Sequence, residues 1–358
     1  MTIKYLDSKR LEGVAGDLTA TPVIGVGGWK EIGRTTLGAA ADIIDVGSLT
    51  DKRYYMVLGD IKPDGGNIDF FYNLNGDTGG NFASRRSEDG GTDSTVTSNA
   101  NGIIWGNSNI ANPNFSVGYF SNLSTKEKLN ISHTVHQNTA GAGTAPLRVE
   151  SVGKWSNTAD AISTISMKDA GSDQYGSGSE VVVLGWDPAD THTSNFWEEL
   201  ASVTAVGGTE TFETGTFTAK KYLWIQAWIE GDTTNRGLDL YVNSDTGTNY
   251  SQRYSDNGGA DGTATSTNQM LYGGGNSTTE KFFMNAFIIN NSANEKLGIA
   301  HTNNLITAGA GTAPTRRETV GKWANTSTQI TKVGFKNRSA TTGQNITAGS
   351  IIKVWGHD

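Results

Sequence analysis

The sequence predicts an all-β chain made of two tandem jelly-roll-like antiparallel β-sandwiches with an extended N-terminal arm. The composition favours strands and turns, with 46 Gly, 6 Pro and 18% charged residues, because Gly, Asn and Asp tolerate the positive φ of tight turns and Thr suits a pleated surface. Short apolar runs are separated by turn signals, and no stretch keeps the 3.6-residue apolar period of a long helix. The chain also repeats itself once, which predicts two similar domains.

The internal repeat has a period of 168 residues. The segment Ala-Gly-Ala-Gly-Thr-Ala-Pro at 140–146 recurs at 308–314, and Val-Gly-Lys-Trp at 152–155 recurs at 320–323. Between residues 52 and 157 the two copies align without a gap, and roughly 40% of the positions are identical, which chance does not produce. The period is far longer than a solenoid unit, so each copy is predicted to be a domain.

The repeat sets the domain boundaries. Residues 1–28 have no counterpart and form an N-terminal arm, residues 29–186 form module 1, residues 187–196 form a short polar linker, and residues 197–358 form module 2. An unrepeated arm on a duplicated body suits a tether that orders on a neighbouring subunit or shell. A disordered tail is the alternative.

Strands are predicted wherever β-branched and aromatic residues cluster between turn signals. About eight strands per module are expected, as in a two-sheet sandwich of jelly-roll type. At most residues 195–200 could form one helical turn. The strand predictions are 54–58, 68–74 and 180–184 in module 1 and 222–229, 238–242, 282–289 and 351–355 in module 2, with turns at Asn75-Gly76, Asp89-Gly90 and Asn257-Gly258.

Composition and charge exclude several classes of partner. The net charge is −8 and no Lys/Arg cluster offers a basic face, so no nucleic-acid partner is expected. The absence of Cys excludes a disulfide framework and a zinc–thiolate site. No stretch approaches the roughly 18 apolar residues of a membrane helix. The first ten residues lack the apolar run of a signal peptide, and release by lysis, as with virus particles, fits that absence.

Several motifs carry a resemblance to a known family. Module 1 contains Asn75-x-Asp77-Thr78-Gly79-x-Asn81-Phe82 and a strand that ends near Asn122. The closing strand reads Ala-Gly-Ser-Ile-Ile-Lys-Val-Trp-Gly at 348–356 and Gly-Ser-Glu-Val-Val-Val-Leu-Gly at 178–185. These segments resemble the modules of tailed-virus structural proteins, which occur in the tail, fibre and capsid-decoration proteins of phages and archaeal viruses.

The resemblance covers both modules and not the arm. It implies jelly-roll-like sandwiches, frequent assembly as homotrimers, and contacts with other virion proteins such as capsid or tail subunits. It brings no catalytic residue to this chain. Module 1 departs from module 2 at residues 171–176, which are about three residues shorter than their counterpart, and this leaves the register of its closing strand open.

A calcium loop is one interpretation of a duplicated set of oxygen-bearing side chains. Hard cations bind several oxygens on one tight turn, and side chains at alternate positions around a Gly could supply them. The EF-hand pattern is not met. The alternative, which we favour, is an Asx turn in which Asp and Asn bond their own backbone. The residues are Asn75, Asp77 and Asn81 in module 1 and Asn243, Asp245 and Asn249 in module 2.

A second duplicated pattern, Arg-x-Glu-x-Val-Gly-Lys-Trp, predicts a strand. Alternation places Arg, Glu and Val on one face and, after the Gly, Lys on the opposite face. We favour a cross-strand ion pair beside a core or rim Trp. An aromatic platform for sugar or an intersubunit contact is the alternative. The residues are Arg148, Glu150, Lys154 and Trp155 in module 1 and Arg316, Glu318, Lys322 and Trp323 in module 2.

The chemistry of an enzyme lacks visible parts. Each module carries an equivalent histidine, His133 and His301, with no other His or carboxylate at ligand spacing in the sequence, and a hydrogen-bonded strand residue is the favoured interpretation. Ser177, in Gly-Ser-Gly-Ser, opens a strand and not a helix, so it forms no nucleophile elbow. The Gly-rich segment 140–146 is followed by no Lys-Ser or Lys-Thr and is predicted to be a tight surface turn.

The predicted function is that of a virion structural protein without enzymatic activity, which decorates a capsid or forms part of a tail or fibre. We expect a homotrimer, whose six modules would match a hexameric capsomer. A tandem jelly-roll shell protein is an alternative within this class. An extracellular glycan-binding or adhesive module for a host surface glycan is the alternative outside it, with avidity from two sites. The aromatic residues considered for it are Trp105, Trp155, Trp323 and Trp355.

Overall fold

A computed structural model gives the fold of the chain. It describes residues 28–106, 112–171, 173–192, 194–232, 237–274, 281–305, 307–338 and 345–358, together with the backbone of residues 6–7 and 10–11. These two short pieces of the predicted arm, Leu6–Asp7 (β1) and Arg10–Leu11 (β2), pair antiparallel. The rest of the arm, 1–5, 8–9 and 12–27, lies outside the described residues.

Module 1 is a sandwich of an eight-stranded and a four-stranded sheet. In the large sheet the strand order is β3-β14-β5-β10-β11-β12-β7-β8, and in the small sheet it is β4-β13-β6-β9. Within each sheet, all of these neighbouring strands pair antiparallel. The strands are β3 (Lys30–Thr36), β4 (Ile43–Val46), β5 (Tyr54–Ile61), β6 (Phe71–Leu74), β7 (Phe82–Glu88), β8 (Ser94–Asn99), β9 (Ile103–Ile104), β10 (Asn114–Ser121), β11 (Lys128–His136), β12 (Leu147–Trp155), β13 (Ile165–Lys168) and β14 (Glu180–Trp186).

Module 2 repeats this architecture. Its large sheet has the order β15-β25-β17-β21-β22-β23-β19-β20, which matches module 1 strand for strand, and its small sheet has the order β16-β24-β18. The strands are β15 (Glu198–Thr204), β16 (Thr211–Glu213), β17 (Tyr222–Glu230), β18 (Leu238–Val242), β19 (Tyr250–Asp256), β20 (Gly262–Thr267), β21 (Lys281–Ile289), β22 (Lys296–Leu305), β23 (Thr315–Trp323), β24 (Val333–Asn337) and β25 (Ile351–His357).

The predicted all-β fold class is confirmed. In the described part of the chain no helix forms, and the helical turn that residues 195–200 could have made is replaced by the start of β15. Among these residues no helix is long and apolar enough to cross a membrane.

The closing strands keep the same register in both modules. Glu180 of β14 pairs with Asp60 of β5, and Ile351 of β25 pairs with Trp228 of β17. Asp60 and Trp228 are equivalent in the repeat, so the three-residue difference between the copies falls in the connection before the closing strand. The strand itself keeps its pairing with the neighbouring strand.

The predicted turns form where the sequence places them. Asn75 and Gly76 both have positive φ, 54° and 64°, and Asn257 and Gly258 have φ of 54° and 72°. Two successive residues with positive φ define a type I′ turn, which Asn-Gly adopts readily. The turns therefore follow directly from local sequence.

Each module has its own apolar core between its two sheets. In module 1 the large sheet contributes Val57 and Val183, and the small sheet contributes Ile44 and Met167. Module 2 has an equivalent cluster that includes Ile225 and Phe335. A third cluster contains residues of both modules and lies between the two large sheets.

Candidate functional site: the interface between the modules

The two large sheets pack against each other through their outer faces. The outer face of a module is here the side of its large sheet that points away from its own small sheet. Phe115 of β10 meets Tyr222 of β17 with ring centroids 6.3 Å apart. The buried apolar residues of this interface are Met56, Leu58, Phe115, Val117, Val135, Val182 and Leu184 from module 1, and Phe196, Trp197, Tyr222, Phe287, Ile289, Leu297, Ile299 and Val320 from the second half of the chain.

Buried ion pairs cross the same interface. The guanidinium of Arg148 on β12 donates two hydrogen bonds to Asp261, with Nη2 2.6 Å from Oδ1 and Nε 3.2 Å from Oδ2. Arg148 also lies 2.6 Å from Glu150 and 3.9 Å from Glu318. An arginine that pairs with a carboxylate through two bonds is held in orientation as well as in charge. Three of the four duplicated Arg and Glu residues of the sequence analysis, Arg148, Glu150 and Glu318, therefore meet at the module interface.

A second group of ion pairs lies at the β14 end of the interface. Lys221 of module 2 is 3.1 Å from Asp60 and 2.9 Å from Glu180 of module 1, and the hydroxyl of Tyr222 donates to Glu180 at 2.8 Å. Burial alone would raise the pKa of Glu180, but the hydrogen bonds from Thr36 and Lys221 outweigh it and lower the pKa to about 2.

One histidine from each module meets its counterpart at the centre of the interface. The rings of His133 and His301 lie 4.2 Å apart, and Glu150 is close enough that one ligand atom from each of the three falls within 4.8 Å of the others. Burial, with the neighbouring His301 ring and Arg148, holds the pKa of His133 well below its ordinary value, and burial lowers that of His301. Both imidazoles are therefore neutral at neutral pH.

The interpretation of each histidine as a separate hydrogen-bonded strand residue did not predict this pair. Sequence spacing could not show it, because the partner comes from the other copy of the repeat. Neutral imidazoles and a carboxylate are ligands that zinc accepts. Glu150 is already paired with Arg148, so a cation at this place would have to displace that ion pair.

The Gly-rich segment 140–146 is a docked loop and not a free surface turn. It connects β11 to β12 and lies in a groove of module 2 between β19, β20 and β23. The carbonyl oxygens of Thr144 and Ala142 accept hydrogen bonds from the Ser251 hydroxyl and the Ser266 amide, both 2.9 Å or shorter. Tertiary contact has thus given a specific role to a segment for which sequence predicted only a turn.

Charged groups of module 2 complete this groove. Arg253 Nε donates to the carbonyl of Pro146 at 2.9 Å. Lys322 Nζ donates to the carbonyls of Gln137 and Thr139, and Glu295 accepts a hydrogen bond from the amide of Gly141. The Lys322 of the duplicated Arg-Glu-Lys-Trp pattern is therefore an interface residue.

The Lys residues of that pattern lie on the same face as Arg and Glu. The expectation that Lys154 points to the opposite face is wrong, since β12 pairs with β7 and β11 without a register shift through Gly153. Strict alternation continues, and Lys154 forms an ion pair with Glu127 at 2.9 Å on the outer face.

The tryptophans of the pattern lie in the interior. Trp155 and Trp323 are both buried, as is Trp105, so the alternative of an exposed sugar platform does not apply to these three rings. The Trp155 indole donates to Asp77 at 2.6 Å and Lys128 Nζ lies over its ring at 5.6 Å. The same arrangement of Asp245, Trp323 and Lys296 occurs in module 2.

The predicted calcium residues are occupied by hydrogen bonds. Asp77 accepts from the Gly79 amide at 2.8 Å and from Asn81 at 2.9 Å, and Asn75 Oδ1 accepts from the Ser163 amide at 2.8 Å. The oxygens of Asn75 and Asp77 therefore serve different neighbours. Asn243, Asp245 and Asn249 make the same bonds in module 2. The Asx-turn interpretation accounts for both sets.

Comparisons with known proteins add little to this geometry. No protein-family model matches the chain, and no curated protein matches it. Among solved structures, domains LG4-5 of the mouse laminin alpha1 chain are 10% identical over 92% of this chain and 90% of that one, with a TM-score of 0.21. Neisserial surface protein A is 7% identical over 80% of this chain and 99% of that one, with a TM-score of 0.10. Both TM-scores are too low to support an inference.

Proposed function

We propose that the chain is a virion structural protein without enzymatic activity, which decorates a capsid surface or forms part of a tail or fibre. The observation that supports this most directly is the buried interface between the modules. Two sandwiches joined through the faces of their large sheets behave as one block, because their relative movement would expose apolar side chains to water. A block of this kind suits a mechanical role in a particle.

The polar contacts of the interface support the same role. The carboxylate of Asp261 is nearly inaccessible to solvent and is held by Arg148. The guanidinium binds this carboxylate through two parallel hydrogen bonds, and a pair of this geometry forms only when the two sheets dock in one orientation. The interface is thus specific in orientation as well as stable.

The proposed assembly is a homotrimer that contacts other virion proteins such as capsid or tail subunits. This part rests on the resemblance of the duplicated motifs to tailed-virus modules. A trimer would present six similar sandwiches around one axis, which suits a hexameric capsomer.

Particle fractionation tests the virion role. Particles released by the organism that encodes the chain are purified on a density gradient, and the chain is quantified by mass spectrometry and located with gold-labelled antibody. We expect the chain in constant stoichiometry with the major particle protein. A chain recovered in the soluble fraction and absent from particles would refute the proposal.

A glycan-binding role is the second candidate, and an aromatic cavity favours it. Trp29, Tyr54, Tyr119 and Trp186 line a surface cavity of about 450 Å³ on module 1, where Tyr54 stacks on Trp186 with centroids 5.5 Å apart. Aromatic faces of this kind bind the apolar side of sugar rings. Binding on a glycan array that Trp186→Ala abolishes would support this role, and a blank array would refute it.

A further inference from the structure

Apart from the pair of equivalent histidines, His133 and His301, the contact between the two modules is not reciprocal. In a symmetric pair the same patch is used on both partners. Here each outer face has two halves. The loop half is the end of the face next to the β11–β12 loop in module 1 and next to the β22–β23 loop in module 2. The groove half is the opposite end, next to the groove formed by β7 and β8 in module 1 and by β19 and β20 in module 2. The loop half of module 1 packs on the groove half of module 2.

The two remaining halves are exposed and carry apolar side chains. Ile131 in the groove half of module 1 is 52% exposed, whereas its counterpart Ile299 is 4% exposed. Phe283 in the loop half of module 2 is 42% exposed, whereas its counterpart Phe115 is 1% exposed. The exposed apolar residues of these halves are Tyr54, Leu129, Ile131 and Val152 in module 1 and Trp228, Phe283, Leu305 and Ile351 in module 2.

The loop and the groove are both duplicated. Among the described residues, the loop of module 2 and the groove of module 1 do not contact each other within one chain. The seven residues 308–314 are identical to the docked loop 140–146, and all seven are exposed. The groove of module 1 is an open cavity of about 490 Å³ lined by Arg85, Leu129, Ile131 and Lys154 among others. A matching loop and groove therefore stand open on opposite modules of one chain.

The open groove keeps the groups that hold the loop in module 2. Four of the five side chains or amides that bind segment 137–146 have an identical counterpart in module 1, and Ser98 has the same positive φ as Ser266, 52° against 49°. The exception is Ser251, which is replaced by Ala83. The identical pairs are Arg85 and Arg253, Ser98 and Ser266, Glu127 and Glu295, and Lys154 and Lys322.

The charges at the two open halves are complementary in the same way. In the closed contact Arg148 binds Asp261. Their counterparts are Arg316, whose side chain is 64% exposed, and Asp93, whose side chain is 49% exposed. Since Arg316 belongs to the loop half of module 2 and Asp93 to the groove half of module 1, they would meet only between chains.

Two ionic positions change together to apolar ones. Asp60 and Glu180 of module 1 bind Lys221 across the closed contact, and their counterparts in module 2 are Trp228 and Ile351. The counterpart of Lys221 is Arg53. A guanidinium facing an indole and an aliphatic side chain gains cation–π and apolar contact instead of an ion pair.

We propose that chains associate head to tail, with the loop half of module 2 docked on the groove half of module 1 of a second copy. The contact repeats the one inside the chain, and segment 308–314 occupies the open groove. Such heterologous contacts build a closed ring when the rotation closes and a filament when it does not. The inference deepens the proposed function, because it names the surface through which the chain would assemble.

The contact between chains is expected to be weaker than the one within the chain. Leu58, Val117 and Val135 are buried in the closed contact, and their counterparts are Gln226, Asn285 and Asn303. Three amides in place of three apolar side chains reduce the apolar area removed from water. We therefore expect a concentration-dependent equilibrium between the 38.0 kDa chain and its multiples.

Charge reversal tests the contact on purified full-length protein by light scattering. Arg316→Glu would face Asp93 and Glu150 of the next chain, and Asp93→Arg would face Arg316, so each variant is expected to weaken association about tenfold or more. The double variant restores an attractive pair and should recover most of the loss. Failure of recovery, with both single variants folded, would overturn the assignment of this pair.

A matched pair of apolar substitutions tests the groove half. Ile131→Glu should abolish association, whereas Ile43→Glu, on an equally exposed residue of the small sheet, should leave it unchanged. A chain that is monomeric at every concentration overturns the proposal, and so does an oligomer that Ile131→Glu does not affect. A monomer whose binding on a glycan array is lost in Ile131→Glu would assign the surface to sugar.

Disulfide cross-linking tests the direction of the contact. The chain has no Cys, so introduced cysteines can pair only with each other. The contact of Thr144 with Ser251 predicts that Thr312 of one chain lies against Ala83 of the next. The double variant Ala83→Cys with Thr312→Cys should give covalent multimers on oxidation, and each single variant should not. Multimers from a single variant would refute the head-to-tail direction. A monomer that still co-sediments with particles would overturn this contact and leave the virion role intact.

Discussion

The outer faces of the two modules differ in their surroundings, whereas their cores do not. Inside the sandwiches, equivalent residues have equivalent surroundings, as with Trp155 and Trp323, which bind an Asp and lie under a Lys in both copies. On the outer faces, equivalent residues have opposite surroundings, as with exposed Ile131 and buried Ile299. The repeat therefore fixes the fold of each module, while the single contact between them makes the two copies functionally different.

Removing a core tryptophan tests whether the interiors are equivalent. Trp155→Ala and Trp323→Ala should each lower the free energy of unfolding by about 3–5 kcal/mol, because each leaves a large cavity and removes the indole hydrogen bond to an Asp. Chemical denaturation followed by circular dichroism measures the loss, with Val206→Ala at a fully exposed site as the control. A large difference between the two variants would contradict the equivalence of the cores.

The two arginines of the repeat should differ in their contribution to stability. Arg148→Ala leaves the buried Asp261 with the longer 4.0 Å contact to Arg253 and should cost about 3 kcal/mol. Arg316→Ala removes the ion pair between an exposed guanidinium and the buried carboxylate of Glu318, which keeps Arg148 at 3.9 Å, so it should cost less, about 1 kcal/mol. Denaturation of the monomeric chain compares them directly. Equal losses would mean that the buried pair at the module interface does not form.

The isoleucine pair gives a similar contrast with an apolar probe. Ile299→Ala removes methyl groups from the buried interface and should lower the free energy of unfolding by about 2–5 kcal/mol. Ile131→Ala at the exposed counterpart should change it by about 0.5 kcal/mol or less in the monomer. A thermal melt at low protein concentration is the measurement. A costly Ile131→Ala would show that the groove half is covered within the chain.

Acid should destabilise module 1 through His136, for which module 2 has Asn304. Burial lowers the pKa of His136 to about 3. Since the folded pKa lies below the unfolded value near 6.5, the unfolded chain takes up the proton first, and stability is lost as pH falls from about 6.5 towards 3. The loss by pH 5 should be about 1–2 kcal/mol.

His136→Asn, the residue that module 2 uses, should flatten this pH dependence. Denaturation curves between pH 7 and pH 5 are compared for the two proteins, above the range in which carboxylates such as Glu180 titrate. His133 and His301 contribute in the same direction, so a residual slope is expected. An unchanged slope would show that His136 is protonated in the folded chain.

Sequence predicted the elements and missed their docking. The apolar runs, the Asn-Gly turns and the repeat gave the strands and two similar sandwiches, because these depend on neighbouring residues and alternation. The meeting of His133 with His301 could not be predicted, since it depends on how two folded surfaces pack. The error over Lys154 came from treating Gly153 as a break in alternation, whereas the ladder of hydrogen bonds on both sides kept the strand regular.

The hypothesis of an aromatic sugar platform at Trp155 and Trp323 was wrong for a different reason. An isolated Trp beside charged residues was compatible with either a rim or a core position. The partner that decides between them is Asp77, 78 residues earlier in the chain, whose carboxylate accepts a hydrogen bond from the indole N–H. Buried Trp side chains usually find a partner of this kind, and the duplicated Asp and Trp together were the signal that could have placed both rings in the interior.

The reactivity of lysine amines can report whether each module is folded. Lys128 and Lys296 are fully buried against the rings of Trp155 and Trp323. Lys322 is buried under the docked loop, whereas Lys154 is exposed. Amine-reactive labelling of the folded chain should therefore modify Lys154 quickly and the other three slowly. As each module opens, its own buried lysine becomes reactive, and peptide mass spectrometry can follow the two modules separately. Protection of Lys154 at high protein concentration would report occupation of the open groove.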